Sequence, residues 1–212
     1  MKKNMSVLFG LFLFFIVPIY GQNDLSDSDK EALQARVKDK VEEFVNHLSN
    51  IAKEKELSNY QRQEEIKAAL VLFIGNGEKY SVKNEYGENE KRDPVRMQLS
   101  SIKSDITHWL AMKKYLWNMY NNVNKYGKVV LQSADIVRVD NINKVSDGHY
   151  EAMAYFVQKY IAYRDGKVVY SDITKKKIKV YIEALEIPGG IIWDAKLGDV
   201  YVTATNPLGD GK

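Results

Sequence analysis

Leu33, Val37, Val41, Phe44, Val45, Leu48, Ile51 and Ala52 recur at spacings of three and four, drawing one apolar stripe, while Lys38, Lys40, Glu42 and Glu43 lie off it. That period predicts a long amphipathic helix, opened by Asp27 or Ser28 with Glu31 placed as in a capping box, and ending near Glu56. Ser58 can cap a second helix, with Ile66, Ala69, Leu70, Phe73 and Ile74 on its buried face and Gly75-Asn76-Gly77 as its stop. So short a join predicts an antiparallel helical hairpin. Residues 80–92 are polar, and Asp93-Pro94 closes a loop or short hairpin. Val95, Met97, Leu99 and Ile102 then read as a strand. A third helix is expected around Trp109, Leu110, Met112, Lys113, Leu116, Trp117 and Tyr120, leaving at Tyr126-Gly127.

From Lys128 the period changes to alternation. Strands are predicted over 128–139, 149–164, 167–186 and 191–204, separated by Asp147-Gly148, Asp165-Gly166 and Pro188-Gly189-Gly190. An Asp-Gly pair between alternating segments signals a hairpin, because a type I′ turn needs positive φ at both positions. Ile178, Val180, Ile182 and Ala184 form the clearest apolar face, with Lys175, Lys177, Lys179, Tyr181 and Glu183 directed to water. The 149–164 segment is apolar on both faces and belongs mid-sheet. In 128–139 the parity breaks at Ala134 and Ile136, which predicts a bulge. The pattern as a whole predicts an α+β fold. In it an N-terminal helical hairpin and a third helix pack on an antiparallel sheet of about four to six strands, the curved, cone-shaped roll being what the resemblance given below implies.

The first residues stand apart. Lys2 and Lys3 precede a run of about thirteen mostly apolar residues (7–19), interrupted by Pro18 and followed by the small Gly21. This reads as a secretory leader, 1–21; the run is too short for the roughly twenty residues a membrane span needs. A single domain is expected over 22–205, with 22–75 the helical hairpin and 95–205 the sheet plus third helix. Residues 206–212 form a polar tail. The expected location is secreted or periplasmic.

Composition narrows the chemistry. Of 212 residues, 31 are Lys or Arg and 28 Asp or Glu; without the leader's two lysines the net charge is +1. So small a cationic surplus argues against nucleic acid as the main partner. The absence of cysteine removes disulfides, thiolate metal sites, a cysteine nucleophile and a lipidated N-terminal cysteine.

Tyr155-Phe156-Val157-Gln158-Lys159, Tyr163-Arg164-Asp165-Gly166, Tyr170-Ser171-Asp172-Ile173-Thr174 and Lys177-Ile178, with the terminal Leu197-Gly198-Asp199-Val200-Tyr201-Val202, carry a resemblance. They look similar to secreted hypothetical proteins of Bacteroides-type bacteria. The order of elements over roughly 95–205 resembles the cystatin-like α+β roll of nuclear transport factor two, ketosteroid isomerase and SnoaL-like polyketide cyclases. The resemblance implies a curved sheet wrapped around helices with a pocket between them. It matches topology and hairpins, not a catalytic motif, and fold alone does not assign function.

Three histidines, His47, His108 and His149, are scattered without metal-ligand spacing, so no metal or other cofactor is expected. No G-x-S-x-G occurs, and Gly75-x-Gly77 reads as a helix stop. Ketosteroid isomerases and their relatives use a carboxylate base with a tyrosine donor in an apolar pocket. The corresponding candidates here are Asp135 and Tyr155, with Trp109, Tyr155 and Tyr163 as pocket lining. No Asp and Tyr pair aligns residue by residue with that motif. The cluster Lys175-Lys176-Lys177 with Lys179 reads as a solvated strand face. The expectation is therefore an exported non-enzymatic module that binds a protein, peptide or small ligand, with a homodimer as one form it can take. The alternatives are an isomerase- or cyclase-like enzyme, and an envelope or carbohydrate binder using some of the three Trp and fourteen Tyr residues. The enzyme alternative predicts a closed apolar pocket containing a carboxylate of raised pKa, and a pocket filled by side chains would remove it.

Overall fold

The computed structural model describes residues 24–53, 56–126, 128–133 and 137–208, without the side chains of 104–106, 122–125 and 133. The leader and Asp135 lie outside the described residues, as do the tail residues 209–212.

Helix α1 (Asp27–Ile51) begins one residue earlier than the predicted cap: Ser26 accepts from the Asp29 amide while the Asp29 carboxylate accepts from the Ser26 amide. This reciprocal pair satisfies two of the donors every helix start leaves open. All seven stripe residues from Leu33 to Ile51 are buried, each contributing roughly 1.5–3 kcal/mol of transfer free energy. The helix stops at Ile51, short of Glu56. Ser58 caps α2 (Asn59–Val71) as predicted, again with a capping box, through Gln61. That helix ends before Phe73 and Ile74. Phe73 instead bridges to Leu197, and Ile74–Gly77 forms a short 3-10 turn.

Strands β1 (Tyr80–Lys83) and β2 (Asn89–Arg92) make a separate hairpin. The main sheet holds β3 (Arg96–Ser101), β4 (Ser104–Ala111), β5 (Lys128–Ser133), β6 (Arg138–Val139), β7 (Asn143–Ser146), β8 (His149–Arg164), β9 (Lys167–Ile187) and β10 (Gly190–Pro207). Its order is β4-β3-β10-β9-β8-β5, with β6 and β7 also pairing with β8. Helix α3 (Met112–Tyr126) follows β4. The chain is thus an α+β roll, three helices on a large curved sheet.

Several expectations change. The sheet has eight strands and is mixed, because β10 runs parallel to β3 where Val200 meets Met97. Trp109 and Leu110 belong to β4, opposite Gln98 and Met97, and α3 starts only at Met112, whose amide donates to Val95 O. Strands β5 and β6 fall within the predicted 128–139 segment, and the bulge expected at Ala134 and Ile136 lies outside the described residues. Strand β10 continues through Asn206 and Pro207, which were expected in the tail. Asp165 and Gly166 both have positive φ, as a type I′ turn requires, whereas at Asp147-Gly148 only the glycine does.

Burial alternates cleanly along the long strands. Ala152, Ala154, Phe156 and Gln158 of β8 and Asp172, Thr174, Lys176, Ile178, Val180 and Ile182 of β9 face inward. Helix α1 packs across β5, β8 and β10, and α3 packs beside it against β3, β4, β5 and β8. At the far end of α3 the inner face becomes polar, and there the helices leave a space.

Candidate functional site

That space is a cavity of about 710 Å³ between α3 and the inner faces of β3, β8 and β9. Apolar groups from Leu99, Met119, Val169 and Val202 share its wall with the phenols of Tyr115, Tyr126, Tyr160 and Tyr170. The polar residues form one connected group. Asp172, Thr174 and Lys176 are alternate residues of β9 and therefore share its inner face. Gln158 stands on β8 directly opposite Thr174.

Asp172 is 5% exposed. Tyr170 donates its hydroxyl proton to Asp172 Oδ2 at 2.5 Å, and Thr174 donates to Oδ1 at 3.3 Å. Burial nonetheless raises the carboxyl above the ordinary aspartate range, outweighing these two bonds and the nearby Lys176 charge. Lys176 is equally buried, and its Nζ donates to Gln158 Oε1 at 2.6 Å with Met97 Sδ at 3.6 Å. Desolvation lowers its amine to about 8, against a smaller opposing pull from Asp172. Since Lys176 bends back to Gln158, opposite Thr174, its amine lies one step along β9 towards the carboxylate.

Gln158 is 4% exposed, and its Nε2 has no hydrogen-bond partner among the described residues. The amide lies beside the Tyr115 phenol and eases its ionisation, but less than burial opposes it. Burial likewise pushes Tyr160 well up, so both phenols stay protonated and serve as donors at neutral pH. Tyr160 stacks edge-on against Tyr170 at 5.8 Å between centroids. His108 sits at the exposed rim, on β4 rather than at a helix start. Among the described residues no group of three metal-ligating side chains converges, and no helix is long and apolar enough to cross a membrane.

The side chains singled out from the sequence lie elsewhere. Tyr155 and Tyr163 alternate with the inward residues of β8 and occupy the outer face, with Arg138 and Lys128 respectively over their rings. Trp109 is on β4, its ring edge-on to Tyr201 at 5.3 Å and beneath Arg96. None of the three is among the residues lining the cavity. The residues that do line it had a readable signal: 172, 174 and 176 continue the parity of Ile178, Val180 and Ile182. The triple-lysine run concealed it, because Lys175 and Lys177 point outward while Lys176 points in.

Fold and cavity together define a pocket-bearing α+β roll. No protein-family model matches the sequence, and no curated protein does. Three solved structures resemble it in fold. One is a hexachlorocyclohexane dehydrochlorinase, LinA type 2, with 12% identity, 87% of this chain and 95% of that chain covered, and a TM-score of 0.42. Another is a scytalone dehydratase candidate from Novosphingobium aromaticivorans, at 12% identity, 87% and 99% coverage and a TM-score of 0.40. The third is the Kfla4162 protein of Kribbella flavida, at 13% identity, 82% and 95% coverage and a TM-score of 0.35.

Proposed function

We propose that the cavity is the active site of an enzyme that moves a proton on a small, largely apolar organic molecule, the isomerase- or cyclase-like alternative. The observation that carries this reading is a buried carboxylate, raised in pKa and oriented by a tyrosine, inside an open cavity. A general base works best when its pKa approaches the ambient pH, and burial moves Asp172 in that direction. Tyr170 and Thr174 fix the carboxylate's two oxygens. Tyr160 and Tyr115, both protonated, and the unpartnered Gln158 amide supply donors for an oxygen that gains charge as the proton leaves. The apolar groups in the wall lower the local dielectric and strengthen each of these interactions. A pure binding module has no need of a desolvated carboxylate and amine on one strand face, since each costs folding stability. Asp172 and Tyr160 take the roles expected of Asp135 and Tyr155. Residues 1–21 support a location outside the cytoplasm, which fractionation of the producing cell checks.

The test is deuterium uptake. Phenylacetone and related enolisable aryl ketones, incubated with the protein in heavy water, exchange their α-protons faster than in buffer, as followed by proton NMR. Asp172→Asn is expected to lower that catalysed rate by about 10²–10⁴-fold. Equal rates with and without the protein across the panel would remove the enzyme reading.

A further inference from the structure

We infer that Lys176 is a nucleophile that binds aldehydes and ketones covalently, as an imine, within this cavity. The inference rests on the proposed active site and names its substrate class as carbonyl compounds.

The hydrogen-bond inventory around the amine carries the argument. An ammonium has three donors and no lone pair, and a buried one needs acceptors for its protons or a carboxylate alongside. Lys176 Nζ has one strong acceptor, Gln158 Oε1, and one weak one, Met97 Sδ; the Tyr115 ring of α3 faces it at 5.9 Å, and Asp172 acts on it only through space. Among the described residues no carboxylate oxygen lies within ion-pair distance of it, although fifteen such pairs exist elsewhere. A neutral amine fits this setting better. Its two protons meet the oxygen and the sulfur, and its lone pair is left to face the cavity that the residue lines. The lowered amine pKa of about 8 agrees with this geometry.

The step balances with groups already present. The Nζ lone pair attacks the carbonyl carbon and the C=O π pair moves to oxygen. That oxygen leaves as water, carrying one proton from the amine and one from the Asp172 carboxyl. A cationic iminium with one N–H remains, beside an Asp172 carboxylate. The iminium withdraws electrons from the α-carbon, and the newly formed carboxylate accepts the α-proton. Asp172 therefore acts twice, giving up one proton to the departing water and then accepting a different one from the α-carbon.

Trapping with limiting propanal and cyanoborohydride tests the assignment, with peptide mapping of the folded protein. Propanal is small enough that cavity shape places no limit on entry. At pH 7 an amine of pKa about 8 has ~300 times the free-base fraction of an ordinary lysine near 10.5. Lys176 is therefore expected to be the first lysine alkylated, at least tenfold ahead of the others. Its labelling rate should rise with a midpoint near pH 8, and its lead should vanish in denaturant. Lys176→Arg cannot form the imine, and is expected to lose the α-proton exchange. If Lys176 labels no faster than surface lysines, or if Lys176→Arg exchanges at the wild-type rate, the imine is overturned while the Asp172 active site stands. Absence of both labelling preference and exchange removes the two together.

Discussion

A lysine buried in an apolar wall costs the fold stability whenever it carries a proton, and this makes Lys176 visible in a stability measurement. Its folded pKa of about 8 lies below the unfolded value of 10.5. Between these values the unfolded chain binds more protons than the folded one, so stability rises with pH across that window. Below pH 8 both states are protonated and the full cost applies. The contribution of this one group amounts to about 3 kcal/mol between pH 8 and 10.5. Lys176→Met, close in volume and without charge, is expected to lose that rise. Urea denaturation of wild type and variant at several pH values reads the difference, which cancels the titration of surface groups. Asp172 has the opposite linkage. Its raised pKa means the folded form holds its proton longer, so its contribution is present below the unfolded value and is lost as pH climbs through the folded one. Both residues trade stability for reactivity, as groups in working sites commonly do.

At the scale of elements, Arg62 joins the three helices. It is 1% exposed, donates Nε to Ile51 O at the end of α1 and a guanidinium nitrogen to Tyr120 O in α3, each at 2.7 Å, and stacks on the Tyr120 ring. One side chain thus satisfies a helix-end carbonyl and holds α2 against both neighbours. Arg62→Met is expected to lower unfolding free energy by roughly 3–5 kcal/mol in denaturant melts, through two lost charge-assisted bonds. The same scale explains what could be read in advance. The α1 stripe and the Ser58 cap were legible because period and capping act over a few neighbouring residues. The β4–α3 boundary was not: Trp109 pairs with Gln98 and packs on Tyr201, about ninety residues on, and no local signal announces either partner. Long-range pairing overrode a helical period that happened to run through Trp109. The cavity's polar row was legible in the parity of β9, but the outward lysines flanking Lys176 made the run look solvated. Gln158 carried no signal at all, since its importance arises only from standing opposite Thr174.

For the whole molecule, β10 is the strand on which closure depends. It lies between β9 and β3, so without it the wall contributed by Gln98, Leu99 and Ser100 has no sheet to join. A chain ended at Ile187 is expected to show no cooperative thermal transition by circular dichroism, because Ala195, Leu197 and Val200 would leave the core and the β3–β4 hairpin would lose its link to β9. His47 links α1 to Glu65 of α2 at 2.5 Å, and His149 contacts the Asp147 carbonyl in a turn.

The parallel contact between Val200 and Met97 also has a bearing on biosynthesis. Two segments separated by half the chain must meet before the reactive amine is walled in, and such distant pairings form slowly. While a ribosome still holds the last strand, β9 can hairpin with β8, yet its inward row lies open on one side. A newly made molecule therefore passes through an interval in which the lysine is bathed in water and behaves like any other, and its weakened basicity arrives only once β10 has joined the sheet.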